Sequence, residues 1–192
     1  MLEQNSKTED TLILLAIQGD RNAYGELVCR YYNDVIRVVY RLCSDSQIAQ
    51  DATQEAFLKA WVKLPDFQPR SPFRNWLFRI AVNAALDILR KKPEENIEDH
   101  AEALVMADKM DGPEGTYIEK EQVNLLQEAV KVLPEGARTV LVLREYAGLS
   151  YGEIASVLDI PIGTVMSRLN YSRTCLREKL QSYHLEMERE YA

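Results

Sequence analysis

The sequence predicts an all-α protein made of two small helical domains: an N-terminal helical bundle and a C-terminal helix-turn-helix domain, joined by an acidic flexible linker. Three observations predict it. Apolar residues recur at helical spacing through both ends of the chain, and no alternating run marks a strand. Asp, Ser, Gly and Pro punctuate those stripes where helices start and stop. Between them, residues 92–120 (KPEENIEDHAEALVMADKMDGPEGTYIEK) open on a lysine and a proline, contain DGPEG and show no sustained stripe. The boundaries are set at 1–92, 93–115 for the linker, and 116–192.

The elements follow in order. EDTLILLAIQ is a first helix that ends at Gly19, a helix-stopping residue. Asp20 caps RNAYGELVCRYYNDVIRVVYRLC, whose buried stripe is Leu27, Tyr31, Val35, Val38 and Leu42. IAQDATQEAFLKAWVKL forms a third helix and stops before Pro65. Ser71 as cap and Pro72 in the first helical position open SPFRNWLFRIAVNAALDILRKK, with Phe73, Trp76, Leu77, Ile80, Ala84 and Ile88 inward. In the second half, YIEKEQVNLLQEAVKVL precedes PEGARTVLVLREYAG. Ser150 with Glu153 then makes a capping box for a short helix, DIPIG turns the chain, and Thr164 leads a long last helix towards Tyr183. Ile154, Leu158, Ile160, Val165 and Leu169 form the shared core of that pair, and HLEMEREYA extends it as a polar helix.

Composition narrows the function classes. The formal charge is −7 and 46% of residues are hydrophobic, so the chain is globular. No apolar run approaches the roughly 18 residues of a membrane span, TLILLAI being far too short, and no signal-peptide pattern is present. The expected location is the cytoplasm, with no membrane insertion. Cys29, Cys43 and Cys175 have no close pairing and are expected as small buried apolar groups. His100 and His184 stand far apart, and zinc spacings, phosphate-binding glycine loops and nucleophile elbows are missing from the sequence. Neither a metal, a cofactor nor an enzymatic activity is expected.

The acidity is local. Residues 1–93 hold 13 Lys/Arg against 11 Asp/Glu, residues 94–121 hold 2 against 10, and residues 122–192 hold 8 against 9. Both helical domains are therefore nearly neutral and free to carry basic faces. At 100° per residue, Val165, Leu169, Ser172 and Leu176 of the last helix cluster on one side. Ser167, Asn170, Tyr171 and Thr174 face away, flanked by Met166 and Arg173, with Arg168 at the edge and placed for a phosphate. Such a helix reads base edges in a major groove with its N-terminal half, although a plain helical hairpin shows the same pattern.

Three stretches in order then resemble one family from about Thr11 to Leu180: the extracytoplasmic-function (ECF) sigma factors, compact initiation subunits of bacterial RNA polymerase. DATQEAFLKAWVKLPDF is similar to their polymerase-binding segment, FRNWLFRIAVNAALDILRK to their minus-ten segment, and LPEGARTVLVLREYAGLSYGEIASVLDIPIGTVMSRL to their minus-thirty-five domain. The resemblance implies a non-enzymatic factor that binds core RNA polymerase (the β′ coiled coil, and β), directs it to promoter DNA and aids its opening. An anti-sigma partner is implied as well. Asp51, Gln54 and Glu55 share a helical stripe that spacing alone reads as a solvated face; the resemblance makes it the polymerase ridge, with Phe57 beside it. For the minus-ten element it implies Arg74, Arg79 and Asn83, plus the loop PDFQPRSP, where Phe67 either stacks on a flipped base or plugs the helix junction, and Arg70 is the neighbouring cation. For the minus-thirty-five element it implies Thr164, Met166, Ser167, Arg168, Asn170, Tyr171 and Arg173. Met166, Asn170 and Tyr171 depart from the basic or aromatic residues usual there, so altered base readout is expected. A DNA-binding regulator with an N-terminal sensor bundle, and an enzyme acting on nucleic acid, are the competing classes. Core polymerase separates the first from the implied role, and the missing metal motif argues against the second.

Overall fold

The computed structural model describes residues 8–91 and 125–190, with side chains as far as residue 183. The acidic linker lies outside the described residues. Every regular element among the described residues is helical: α1 Glu9–Ile17, α2 Arg21–Cys43, α3 Ser46–Lys63, a 3-10 turn Leu64–Asp66, α4 Phe73–Lys91, α5 Glu135–Glu145, α6 Tyr151–Leu158 and α7 Ile162–Glu190. Residues 125–131 are helical ahead of α5.

Local chemistry sets the boundaries. Asp20 accepts from the amides of Asn22 (2.9 Å) and Ala23 (3.2 Å), satisfying donors that the first turn of α2 leaves unpaired. Asp45 caps α3 by accepting from the amide of Ile48 at 2.7 Å, so α3 starts two residues before the stretch read from its stripe. Ser150 and Glu153 form the capping box of α6, the Glu153 carboxylate accepting from the Ser150 amide at 2.8 Å. Asp159 ends α6 in the left-handed region at φ 55°. Helix α7 begins at Ile162 rather than Thr164, because the carbonyl of Pro161 already accepts from the amides of Thr164 and Val165.

Helix α2 buries the expected stripe: Leu27, Tyr31, Val35, Val38 and Leu42. Helix α4 packs on both α2 and α3, so it buries more than one stripe, with Phe78, Ala81, Val82 and Ala85 added to Phe73, Leu77, Ile80 and Ala84. In the C-terminal half, Val165, Leu169 and Ile154 close the helix-turn-helix core. Ser172 is fully buried in it; its hydroxyl lies 3.0 Å from the carbonyl of Ala137 and 2.8 Å from that of Arg168, either of which accepts its proton. The two halves pack against each other, α5 on α2 and α6 on α4. One cysteine expectation fails: Cys43 is buried and Cys175 partly so, but Cys29 points to solvent on α2.

Candidate nucleic-acid interface

Three surfaces carry the residues singled out from the sequence. On α3, Asp51 and Gln54 are exposed and Glu55 is half-buried, its carboxylate paired with Lys59 at 2.7 Å. The stripe runs on into exposed Leu58 and Val62. Phe57 is buried beneath it, its ring stacked on Tyr32 with centroids 6.2 Å apart. Beside the ridge lies a groove of about 610 Å³ whose walls include Tyr24, Tyr32, Phe57, Leu58 and Trp61. Tyr24 donates its hydroxyl to the Phe57 carbonyl at 2.6 Å and packs on Trp61, and burial pushes its pKa up to about 12. The sequence reading found the carboxylates and missed this groove. Leu58 and Val62, at i+7 and i+11 from Asp51 on a face otherwise polar, were the available signal.

The second surface is α4 and the loop before it. Phe67 is only 8% exposed and packs in an aromatic cluster with Phe73 (5.6 Å) and Trp76 (5.1 Å). In the free protein it plugs the helix junction, edge-on to Phe73 and tilted on Trp76. Arg70 is exposed on the same loop. Arg74 pairs with Asp34 at 3.6 Å and lies over the Phe78 ring. Arg79 and Asn83 are exposed one turn apart, and Arg90 follows towards the end of the helix. Asn75, which the sequence reading passed over, is buried and donates its amide to Glu153 at 2.9 Å.

The third surface is the outer face of α7. Met166, Ser167, Asn170, Tyr171 and Arg173 are exposed, and Thr164 is partly so. Arg173 pairs with Glu145 at 3.3 Å. Arg168, at the edge of this face, is partly buried. Its guanidinium lies over Gly136, where even a Cβ would come within 2.9 Å of Cζ, so its head rests on the start of α5. Among the described residues no cluster of His, Cys, Asp or Glu is suited to a metal ion, and no helix is long and apolar enough to cross a membrane.

Glu153 is the most perturbed carboxyl of these surfaces. Hydrogen bonds from Asn75, the Ser150 amide and the Ser150 hydroxyl, with Arg74 adding attraction, hold its pKa down to about 2, against 4.5 for a free glutamate. A group depressed in the folded state contributes its stability above the unfolded value and loses it as pH falls towards the folded one. The stability gap between the parent and Glu153→Gln is therefore expected to be constant above about pH 4.5 and to close between there and about pH 2. Paired urea titrations across that range measure it, and a gap independent of pH contradicts the assignment.

The comparisons with known proteins fall on these surfaces. Residues 27–94 match sigma-70 region 2, and residues 124–176 match sigma-70 region 4. The chain is 34% identical over 185 residues to the RNA polymerase sigma-H factor of Pseudomonas aeruginosa, spanning 92% of this chain and 96% of that one. It is 36% identical to the ECF RNA polymerase sigma-E factor of Haemophilus influenzae, over 91% of this chain and 96% of the relative. The chain belongs to the ECF sigma factors. This ECF sigma factor is also 35% identical to SigW of Bacillus subtilis, over 85% of its own length and 92% of the relative's. Among solved structures it is similar to CnrH in complex with the cytosolic domain of CnrY, with TM-score 0.69, 27% identity, and 91% and 97% of the two chains covered. The fold also matches the sigma factor RpoE of Bartonella quintana, solved with the anti-sigma factor NepR, at TM-score 0.64 and 22% identity over 82% and 96% of the chains. As an ECF sigma factor the chain is a transcription initiation factor of RNA polymerase and not an enzyme.

Proposed function

We propose that this sigma factor docks on the β′ coiled coil of core RNA polymerase, with further contacts to β, through the α3 ridge of Asp51, Gln54 and Glu55 and the adjoining aromatic groove. Carboxylates on the rim steer the approach to a basic partner, while the groove beside Phe57 takes an apolar side chain. Arg70, Arg74, Arg79 and Asn83 read the minus-ten element, Phe67 forming the floor of the loop that receives an unstacked base. The outer face of α7, from Thr164 through Met166, Ser167, Asn170 and Tyr171 to Arg173, reads the minus-thirty-five element, with Arg168 at its edge. Supporting this reading is one observation above others: three separate exposed patches of the right chemistry lie on the very helices that match regions 2 and 4. An anti-sigma partner is part of the proposal, and the likeness to CnrH held by the cytosolic domain of CnrY supports it.

Run-off transcription with purified core polymerase over a fragmented genomic library tests the proposal. Added chain is expected to yield discrete transcripts whose start sites share two upstream elements. An unchanged transcript pattern contradicts it. The α7 face has its own test. Met166 is 54% exposed where the family is often basic, so Met166→Arg adds one phosphate contact. Promoter binding by the holoenzyme should tighten at low salt, and the slope of log K against log salt should steepen by about 0.9. A slope equal to the parent's removes this face from the interface.

A further inference from the structure

Three of the polar groups along one stripe of α4 are occupied by carboxylates from the C-terminal half. Asn75, Arg79, Asn83 and Arg90 fall within an arc of roughly 80° at 100° per residue. The amide of Asn75 donates to Glu153 at 2.9 Å, Arg79 pairs with Asp159 at 3.7 Å, and Arg90 donates to Glu135 at 2.7 Å. Asn83 stays exposed between two such pairs, the one group of the stripe that no carboxylate of the C-terminal half covers among the described residues. A carboxylate offers guanidinium and amide donors the same paired acceptor oxygens that a phosphate does.

We propose that in the free sigma factor the carboxylates Glu135, Glu153 and Asp159 of the C-terminal half stand in for nucleic-acid phosphates on the α4 stripe, so that this half and single-stranded minus-ten DNA compete for it. The proposal rests on the reading of α4 as the minus-ten surface. Only the Asn75 end is buried. The side chains at the other two pairs are well exposed, Arg79 by 50% and Asp159 by 86%, and Arg90 by 61% and Glu135 by 40%. Exposed pairs of this kind are weak and screened by salt. Packing of α6 on α4 and of α5 on α2, with Arg41 over the Tyr146 ring at 4.7 Å, supplies the apolar part of the closure. The result is a latch that holds the free protein closed and yields to a polyanion.

The test uses the full chain and the double variant Asp159→Asn, Glu135→Gln. Asparagine tolerates the left-handed backbone at position 159, where φ is 55°. Glu153 is left intact because it also closes the capping box of α6. The control is Asp10→Asn, Glu26→Gln, which removes the same charge from exposed sites on α1 and α2. The probes are a fluorescein-labelled 12-nucleotide oligo-dT and small-angle scattering. Relative to the control, the latch variant is expected to have a larger radius of gyration and to bind the strand about three- to tenfold more tightly. Adding the strand to the unmodified protein is expected to expand it as well, a readout that needs no variant to fold. A latch variant no larger than the control, with no expansion of the parent on the strand, overturns the latch. Expansion of the variant without tighter binding overturns the competition by removing the α4 surface on which it depends.

Discussion

Replacing Asp51 and Glu55 with arginine is expected to abolish capture of core RNA polymerase, weakening holoenzyme assembly by at least about a hundredfold. Both residues lie on the ridge of α3, Asp51 exposed and Glu55 half-buried, so the substitution spares the core. Losing one member of a close interfacial charge pair costs about 2–5 kcal/mol, and each 1.4 kcal/mol is tenfold in affinity. Reversing two charges adds repulsion to that loss. The fold should survive. Asp51 accepts from Gln47 on the preceding turn, at 3.1 Å, and Glu55 gives up its partly exposed pair with Lys59, worth about 0.3–0.5 kcal/mol. Native gel assembly with core polymerase, alongside thermal melting of the free variant, separates the two outcomes. Assembly equal to the parent's refutes the ridge as the docking site.

Asn83→Ala carries the second large effect. The side chain is exposed on α4, so removal leaves no hole, and stability should stay within about 0.5 kcal/mol. An amide that pairs with a base edge discriminates by about 1–3 kcal/mol, which corresponds to roughly five- to hundredfold in initiation from a matched promoter. The loss should be confined to promoters carrying the preferred base, while holoenzyme assembly is unchanged. Transcription from a library randomised across the minus-ten element reads this directly: one position should lose its preference. A profile identical to the parent's places Asn83 outside the readout.

Much of the molecule was legible in the sequence because its signals are local. Asp20 and Ser150 announce helix starts through bonds to amides two or three residues away, and the α2 stripe needs only the 3.6-residue period. The outward face of α7 followed from the same geometry, with Val165, Leu169 and Ser172 turned in and Met166, Asn170 and Tyr171 out. What stayed hidden depends on contacts between distant positions. Asn75 looks like one more polar helix residue until Glu153, 78 positions on, covers it. Phe67 packs in a cluster whose other members, Phe73 and Trp76, its own position does not announce. The seat of the Arg168 guanidinium over Gly136, which lacks a side chain, joins positions 32 residues apart. The groove beside Phe57 is lined from both α2 and α3, and periodicity along either helix alone does not show it.

Neither proposed promoter-reading surface is expected to hold DNA by itself at a specific site. Footprinting on a promoter fragment taken from the run-off products measures this most directly, with the chain alone, core polymerase alone, and the two together. The predicted result is protection across both upstream elements in the combined sample only. A discrete protected site from the chain alone, at concentrations where the combined sample adds nothing to it, would contradict the account.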